Sequence, residues 1–429
     1  MENTWYIRGG HLIDPLTGTE NIADLFIKDG VIARLPAQIP PKTRIIEAHG
    51  MAVVPGFIDI HVHLREPGNE AAETIKSGCR AAARGGFTTI VSMPNTNPPT
   101  DSTGMISRII RQSRKCGLAR VLPSGCISKN RAGKKLADLR GMAKAGAIAF
   151  TDDGSTITDN VIMEQAMRIC RKIELPIFDH ALDPTLAGNG VMHKGPESKR
   201  LGLPGIPSLA ESRIVERDIR LASRTRCKIH IQHISALESV KLVRKALSKG
   251  VRISAEATPH HLALTDRDVQ PKNTSFKMNP PVRSGKDRKA ILSAVADGAI
   301  RILATDHAPH TKKDKSKGFL SAPFGVVGLE TAIGITFTLL VKSGMMSRME
   351  WVRRWTSGPA QLLNLPAPGL GEGQPADISI LDLDSKWTVR SAKFASKSKN
   401  TPFENRKLTG RAVYTFLEGR ITWNAHKKK

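Results

Sequence analysis

Two histidines one residue apart, His61 and His63, stand at the end of an apolar run in PGFIDIHVHLREPG at positions 55–68. If the run is a β-strand, alternate side chains project from one face, which places both imidazoles on the same side about 6 to 7 Å apart. Imidazole nitrogens at this spacing suit a divalent metal ion, but two histidines at a strand end can equally form structural hydrogen bonds. The pair alone leaves both interpretations open.

Seven further short apolar runs follow this one, separated by segments with apolar residues at helical spacing. Eight such units predict an α/β fold with a (β/α)8 TIM-like barrel, in which functional side chains gather at the carboxyl ends of the strands. The eight runs occupy residues 57–64, 88–96, 119–128, 147–154, 175–182, 228–235, 251–261 and 300–310. Polar residues do lie at these ends: Asn95, Asp152, Asp153, His180, His233, Asp306 and His310. Histidines and carboxylates without thiolates favour Zn²⁺ or a similar ion.

The two ends of the chain carry a different pattern, in which short β runs are broken by Gly, Asp and Pro. This pattern is typical of hairpins, and it predicts one small β-sandwich domain built from both termini. The predicted boundaries are residues 1–54 and 366–429 for the two parts of the β domain, and 55–365 for the barrel.

Composition narrows the classes of function. The chain has 65 Lys and Arg against 39 Asp and Glu, a net charge of +26, but its basic clusters are not interleaved with aromatic residues, so nucleic-acid binding is disfavoured. Five scattered cysteines without a CxxC pair argue against a disulfide framework and indicate a reducing cytoplasm. The sequence shows no secretory signal and no apolar run long enough to cross a membrane.

Several motifs carry a family resemblance. They are HVHLREPG (61–68), MPNTNPP (93–99), FTDDG (150–154), ATPHHL (257–262), KMNPPVR (277–283), ATDHAPH (304–310) and PFGVVGLET (323–331). With the terminal β segments, they resemble type I dihydroorotase, of the cyclic amidohydrolase branch of the amidohydrolase superfamily. The resemblance spans nearly the whole chain. It implies reversible cyclisation of N-carbamoyl-L-aspartate to L-dihydroorotate, a step of pyrimidine (UMP) biosynthesis.

The resemblance also implies roles for individual residues, with two Zn²⁺ ions per subunit as cofactors. The implied metal ligands are His61, His63, Asp153, His180, His233 and Asp306. Asp306 would also be the general acid and base beside a metal-bridging hydroxide. Many relatives bridge their metals with a carbamylated lysine, but no lysine lies between Lys144 and Lys172, which favours the aspartate-bridged dihydroorotases. The implied substrate-binding residues are His63, Arg65, Asn95, Asn279, His310, Phe324 and Gly325.

Several neighbouring residues are expected to be structural. Asp153 is chosen over Asp152 on the resemblance alone, since a local turn can aim either carboxylate at the site. His230 lies an odd number of residues from His233, so in a regular strand it faces the other way and packs in the wall. His260 and His261 are expected to form structural hydrogen bonds. The polar segment 310–325 is predicted to be a mobile flap.

Two rival functions stay open at this point. One is another cyclic amide hydrolase, such as a hydantoinase or an allantoinase, against which Arg65 and Asn95 argue because its substrate has no carboxylate. The other is a non-catalytic scaffold subunit of aspartate transcarbamoylase, which is expected to have lost metal ligands. The resemblance leaves a homodimer and a complex with aspartate transcarbamoylase open as assemblies.

Overall fold

The strands of the protein form two large sheets. The computed structural model describes residues 4–427, so the last two lysines of the predicted basic tail lie outside the described residues. In chain order the strands are β1 (Trp5–Asp14), β2 (Thr19–Lys28), β3 (Val31–Ala33), β4 (Arg44–Glu47), β5 (Ala52–Pro55), β6 (Phe57–Val62), β7 (Phe87–Ser92), β8 (Arg120–Gly125), β9 (Ala149–Phe150), β10 (Ile177–Asp179), β11 (Met192–His193), β12 (Gly205–Ile206), β13 (Ile229–Ile231), β14 (Ile253–Ala257), β15 (Ile302–Leu303), β16 (Ile378–Thr388), β17 (Lys407–Leu417) and β18 (Arg420–Asn424).

Strands from both ends of the chain build one sheet, in the order β18-β17-β16-β5-β1-β2-β3, with β4 beside β1. The two ends meet where β16 pairs antiparallel with β5, with Ile380 opposite Val53. Alternating apolar residues of these strands, including Ile7, Ile27 and Phe416, are fully buried in a core that belongs to this sheet. The sequence prediction of a small β domain made by both termini is therefore confirmed.

The second large sheet is the barrel wall, with strand order β15-β14-β13-β10-β9-β8-β7-β6 and parallel pairing throughout. An isolated parallel bridge between Val62 and His307 closes the ring, and the backbone N–H of His63 donates to the carbonyl oxygen of His307 at 2.8 Å. The first and last barrel segments, which carry HVH and ATDH, are therefore direct neighbours.

Helices surround this wall. They are α1 (Ile75–Arg84), α2 (Thr103–Cys116), α3 (Leu139–Lys144), α4 (Asn160–Lys172), α5 (Pro184–Ala187), α6 (Pro196–Leu201), α7 (Leu209–Thr225), α8 (Leu237–Ser248), α9 (Pro259–Ala263), α10 (Gly285–Ala296), α11 (Lys312–Lys315), α12 (Gly318–Ser321), α13 (Ala332–Thr336), α14 (Arg348–Trp355) and α15 (Ser357–Leu362). Capping side chains stabilise the first turns of some of these helices. Thr74 caps α1 by accepting from the Ser77 N–H at 3.1 Å, and Asp159 caps α4.

Seven of the eight predicted runs contain a barrel strand and the run 88–96 overlaps one, in the predicted order, so the prediction of a (β/α)8 barrel is confirmed. The structure adds a two-stranded sheet of β11 and β12 that the apolar pattern did not reveal, since neither strand lies within an extended apolar run. Among the described residues, no helix has the length and apolar character needed to span a membrane.

Candidate active site

His61 is held in one orientation by a buried carboxylate. Its Nδ1 lies 2.6 Å from Oε1 of Glu256, which projects from β14, and both side chains are fully buried. A carboxylate acceptor requires the proton on Nδ1, so Nε2 presents its lone pair to the opposite side. Glu256 also accepts from the backbone N–H of His233 at 3.1 Å, which ties the first and sixth barrel strands together.

His63 is oriented in the same way by an amide. Its Nδ1 lies 2.9 Å from Oδ1 of Asn95, which follows β7, so with Nδ1 as the donor Nε2 is the nitrogen that faces Asp306. The amide nitrogen of Asn95 in turn donates to Oδ2 of Asp153 at 3.3 Å. Asn95 therefore fixes one imidazole and one carboxylate at once.

Electron-pair donors converge beyond these two rings. Nε2 of His61 lies 3.2 Å from Oδ1 of Asp153 and 3.4 Å from Oδ1 of Asp306, and Nε2 of His63 lies 3.1 Å from the same Asp306 oxygen. The buried Oδ1 of Asp153 receives no hydrogen bond. Burial opposes protonation of His61, but the carboxylates of Glu256, Asp153 and Asp306 outweigh it and hold the pKa of this imidazole well above its usual range, so these groups require a positive charge between them. The donor set therefore fits a divalent metal ion with nitrogen and oxygen ligands.

Two geometric groups can be distinguished in this cluster. His61, His63 and Asp306 present ligand atoms within 4.8 Å of one another, and so do His61, Asp153 and His233. His180 joins the second group, since its ring lies 4.5 Å from that of His233 and its Nδ1 lies 3.6 Å from Oδ1 of Asp153. All six predicted ligand residues are thus brought together, with Asp153 between the two groups.

The electrostatics of the cluster also favour a cation. Burial opposes ionisation of Asp153, but the imidazoles of His61, His180 and His63 outweigh it and hold the pKa of this carboxyl well below its usual range. Burial, with the neighbouring rings of His180 and His61, holds the pKa of His233 well below its usual range. The carboxylate is therefore charged and the His233 imidazole neutral, which are the protonation states that bind metal.

The neighbouring residues that were expected to be structural have other partners. The Asp152 carboxylate accepts from the backbone N–H groups of Ile127 and Ser128 at 2.9 and 3.1 Å, so it anchors a loop and leaves Asp153 to face the histidines. His230 bonds Ser254 at 2.8 Å and lies 3.1 Å from Glu256.

The two adjacent histidines of ATPHHL, His260 and His261, differ in their hydrogen bonds. His261 bonds Thr258 and the carbonyl oxygen of Pro280, at 2.7 and 3.0 Å, as expected for a structural residue. His260 differs from the expectation, because its buried Nε2 has no hydrogen-bond partner. Burial and the neighbouring His261 hold its pKa well below the usual range, so the ring stays neutral.

Arg65 lies beside the cluster without an acid partner. Its Nε donates to the carbonyl oxygen of Pro309 at 3.1 Å, one terminal nitrogen lies 3.3 Å from Nε2 of His310, and no ion pair of the described residues includes it. Nε2 of His310 lies 2.7 Å from the carbonyl oxygen of Phe324, to which it donates. Burial, with the charges of Arg65 and Lys315, lowers the pKa of His310 to about 3, so the ring is neutral.

Two predicted substrate-binding residues have specific local roles. Nδ2 of Asn279 lies 3.1 Å from Nε2 of His180, while its Oδ1 is buried without a partner and stays available as an acceptor. Gly325 is already engaged, because its N–H donates to the carbonyl oxygen of Lys277 at 2.9 Å and its carbonyl oxygen accepts from Asn400 at 3.0 Å.

The backbone is bent where three of these side chains are presented. Arg65, His233 and Asp306 have φ values of 59°, 29° and 46°. Such left-handed conformations cost energy in residues with a Cβ, and they are found at functional sites. At Asp306 the chain leaves the extended conformation of the barrel strand, and this turn aims the carboxylate at the histidines.

Sequence reasoning missed two residues that support the site. Glu256 lies in ISAEATPHH, where no motif marks it. The available signal was the alternation of side chains along the strand, which sets the face on which Glu256 lies. Arg131 donates from a terminal nitrogen to the carbonyl oxygen of Asp153 at 2.5 Å from the loop after β8. Its left-handed φ of 54° could not be read from the sequence.

Comparison with known proteins agrees with this geometry. Residues 50–239 match the family model described as dihydro-orotase-like. The chain is 45% identical to a dihydroorotase from Pelotomaculum thermopropionicum, covering 97% of each chain, and 43% identical to one from Halalkalibacterium halodurans, again covering 97% of each. Among solved structures it resembles the L-hydantoinase (dihydropyrimidinase) from Arthrobacter aurescens, with a TM-score of 0.86, 25% identity and coverage of 99% and 96%. The chain belongs to the dihydroorotase family of the amidohydrolase superfamily.

Proposed function

We propose that the protein is a dihydroorotase, which interconverts N-carbamoyl-L-aspartate with L-dihydroorotate and water in pyrimidine biosynthesis. One observation carries the proposal: the buried cluster of imidazoles and carboxylates lies beside Arg65, a half-buried cation that forms no ion pair among the described residues. The cluster suits hydrolysis of an amide, and the free guanidinium suits a substrate with a carboxylate.

The proposed cofactor is Zn²⁺, with two ions per subunit. His61, His63 and Asp306 would hold one ion, His180 and His233 the second, and Asp153 both, in keeping with their positions. When bound, such ions supply a Lewis acid that polarises the substrate carbonyl and makes water a better nucleophile. Glu256 and Asn95 keep the Nε2 lone pairs of the two HVH histidines directed into the site.

Asp306 is the proposed proton carrier. Its carboxylate is 5% exposed, it sits between the two HVH rings and the Arg65 side, and the bend at φ 46° aims it into the site. In the hydrolytic direction it accepts a proton from the attacking water and delivers it to the departing ring nitrogen. In the biosynthetic direction the same carboxyl group takes the proton from the attacking carbamoyl nitrogen.

Substrate binding is proposed for the residues around this carboxylate. Arg65 offers a planar fork for the substrate carboxylate, with His310 beside it and Asn95 bonded to the neighbouring His63. The free Oδ1 of Asn279 can accept from a ring N–H, and the backbone of Phe324 and Gly325 lies next to His310. His63, which Asn95 orients, is close enough to this group to contact substrate as well.

A second candidate function, hydrolysis of a neutral cyclic amide, is favoured only by the structural likeness to the L-hydantoinase. Such a substrate would leave the half-buried Arg65 guanidinium without a paired anion, which costs free energy. A purely structural role as a subunit of aspartate transcarbamoylase is disfavoured because every mapped ligand position is kept. A homodimer and an association with that enzyme stay predictions, as does a cytoplasmic location, with which the five free cysteines agree.

The experiment is hydrolysis of L-dihydroorotate by the purified, zinc-loaded protein, with bound metal quantified. We expect Asp306→Asn to lower kcat by at least about 100-fold while the fold is retained. The control is Asp384→Asn, which removes an exposed carboxylate from the β domain and should leave the rate unchanged. Turnover of a neutral hydantoin but not of dihydroorotate would refute the proposed substrate.

A further inference from the structure

Two lysines lie buried behind the proposed substrate site. Lys277 precedes the MNPP motif and is 2% exposed, and Lys315 ends α11 and is 8% exposed. Neither takes part in any ion pair formed by the described residues. Lysine is almost never fully buried without a charged partner, so a buried pair of this kind requires an explanation.

Backbone carbonyl groups are the only hydrogen-bond partners that these ammonium groups have among the described residues. Nζ of Lys315 donates to the carbonyl oxygens of Pro323 and Gly325, both at 3.0 Å, and lies 3.4 Å from that of Lys277. Nζ of Lys277 donates to the carbonyl oxygen of Leu320 at 2.8 Å. The two lysines therefore tie down the segment that was expected to be a mobile flap.

The same segment contacts the site. Nζ of Lys277 lies 4.6 Å from the centroid of the Phe324 ring, and the carbonyl oxygen of Phe324 accepts from Nε2 of His310 at 2.7 Å. That imidazole lies 3.3 Å from the guanidinium of Arg65. Lys277 is therefore linked to Arg65 through Phe324 and His310, and Lys315 is linked to it through the Pro323–Gly325 backbone and His310.

Charge on this side of the site is uncompensated. Burial, with the charge of Lys277 adding to it, lowers the pKa of Lys315 to about 7, and burial lowers the pKa of Lys277. Burial likewise lowers the pKa of Arg65 to about 10, although Asp306 opposes the shift. The shifts of the two lysines report cations that lack a compensating anion, whereas Arg65 is compensated in part by Asp306 and Asp153; an anionic ligand would add to that compensation.

We propose that Lys277 and Lys315 are specificity-determining residues, which favour a carboxylate-bearing ring over an otherwise identical neutral ring. The inference rests on the proposed function, because it concerns the substrate carboxylate at Arg65. The two lysines do not touch that carboxylate; they act through the positive potential they create and through the Phe324–Gly325 backbone they hold.

The size of the effect follows from Coulomb's law. A unit charge about 10 Å from the ligand carboxylate, at an effective dielectric constant of about 20, changes affinity by roughly ten-fold. A neutral ligand feels almost none of this, whereas a purely structural loss of the loop would weaken both ligands together. The ratio of the two affinities therefore separates the charge effect from a packing effect.

The test compares orotate with orotamide, its neutral isostere, by calorimetric titration of the zinc-loaded protein at a pH below the pKa of Lys315. We expect Lys315→Met to weaken orotate about ten-fold and to change orotamide less than about two-fold. Lys315→Arg, which keeps the charge, should restore much of the preference. The matched control is Lys313→Met, which removes an exposed charge from the same helix and should change neither affinity.

Two results would overturn the proposal: equal weakening of both ligands, or unchanged orotate binding in Lys315→Met. If that variant does not fold, Lys277→Met tests the same prediction from the other side of the segment. Turnover of dihydroorotate is measured separately. A protein that prefers orotate through these lysines but does not hydrolyse dihydroorotate would refute the proposed reaction and still support this inference.

Discussion

Glu256→Gln is the substitution that best tests how the site is oriented. Glutamine has almost the same shape as glutamate, but it is neutral and keeps only one acceptor oxygen. Glu256 uses both of its oxygens, with Oε1 at 2.6 Å from Nδ1 of His61 and 3.1 Å from the N–H of His233, and Oε2 at 3.1 Å from Nε2 of His230. The variant therefore weakens the group that orients His61 without opening a cavity.

The expected loss can be scaled from these contacts. Burial opposes ionisation of Glu256, but the neighbouring imidazoles of His61 and His230 outweigh it and lower its pKa to about 2, so a full negative charge faces His61. Loss of a charged partner behind a metal-binding histidine typically lowers metal affinity by about 10- to 100-fold. This corresponds to about 1.4 to 2.7 kcal/mol of binding free energy.

The assay is competition for zinc between the protein and a chromophoric chelator, which reads metal affinity independently of activity. The control is Glu330→Gln, which changes another buried carboxylate. Glu330 accepts from the backbone N–H groups of Ala395 and Ser396 at 2.9 and 3.0 Å, and neither of these hydrogen bonds involves an imidazole. We expect both variants to lose stability but only Glu256→Gln to lose zinc. Unchanged zinc affinity in Glu256→Gln would refute the assigned orientation of His61.

Three further predictions concern other parts of the molecule. Arg65→Lys keeps the charge but loses the planar fork, and steady-state kinetics should show a rise in KM for dihydroorotate of about 10-fold or more. Burial lowers the pKa of His193 from 6.5 to about 4, so its contribution to stability is complete above pH 6.5 and is lost as the pH falls through 4. Between pH 6.5 and 4, acid lowers the free energy of unfolding through this histidine. Chemical denaturation should show that His193→Gln removes up to about 3 kcal/mol of that decrease. A hydrogen bond from Cys79 lowers the pKa of Cys116 to about 7, so iodoacetamide followed by mass spectrometry should find Cys116 labelled before Cys227, whose pKa burial raises to about 12.

Each of these predictions has a result that contradicts it. An Arg65→Lys enzyme with wild-type KM would mean that bidentate pairing is not used. Parallel acid-denaturation profiles for wild type and His193→Gln would mean that this histidine gains its proton without opposing the fold. Faster labelling of Cys227 than of Cys116 would mean that exposure and hydrogen bonding do not set thiol reactivity here.

The barrel could be predicted because its signal is repeated. A parallel strand covered on both faces is a short apolar run, and eight such runs in order leave few other folds. The strands at β9 and β15 have only two residues each, yet they fall inside predicted runs because the apolar pattern extends beyond the hydrogen-bonded part. Positions at strand ends then located most of the candidate site residues, such as His180 and Asp306.

The orientation of the side chains in the site could not be predicted, because it depends on hydrogen-bond partners that are far away in the sequence. Asp152 and Asp153 are adjacent carboxylates, and what separates them is that the loop of Ile127 and Ser128 donates to Asp152. Glu256 reaches His61 across 195 positions of sequence. The bend at Asp306 depends on a positive φ, a conformation that aspartate adopts only occasionally.

The structural likeness to an L-hydantoinase implies that the barrel itself does not choose the substrate. A pair of divalent ions serves any cyclic amide, so discrimination has to come from groups that gain only when a carboxylate is present. Lys277 and Lys315 meet this condition as buried cations, and Arg65 meets it as a half-buried one; none of the three forms an ion pair among the described residues, so each carries a desolvation cost in the free protein. An anionic ring offsets that cost and a neutral ring does not. Burial without a partner, which destabilises the fold, is thus the feature that can separate a carboxylate-bearing substrate from the neutral amides that the same barrel hydrolyses elsewhere.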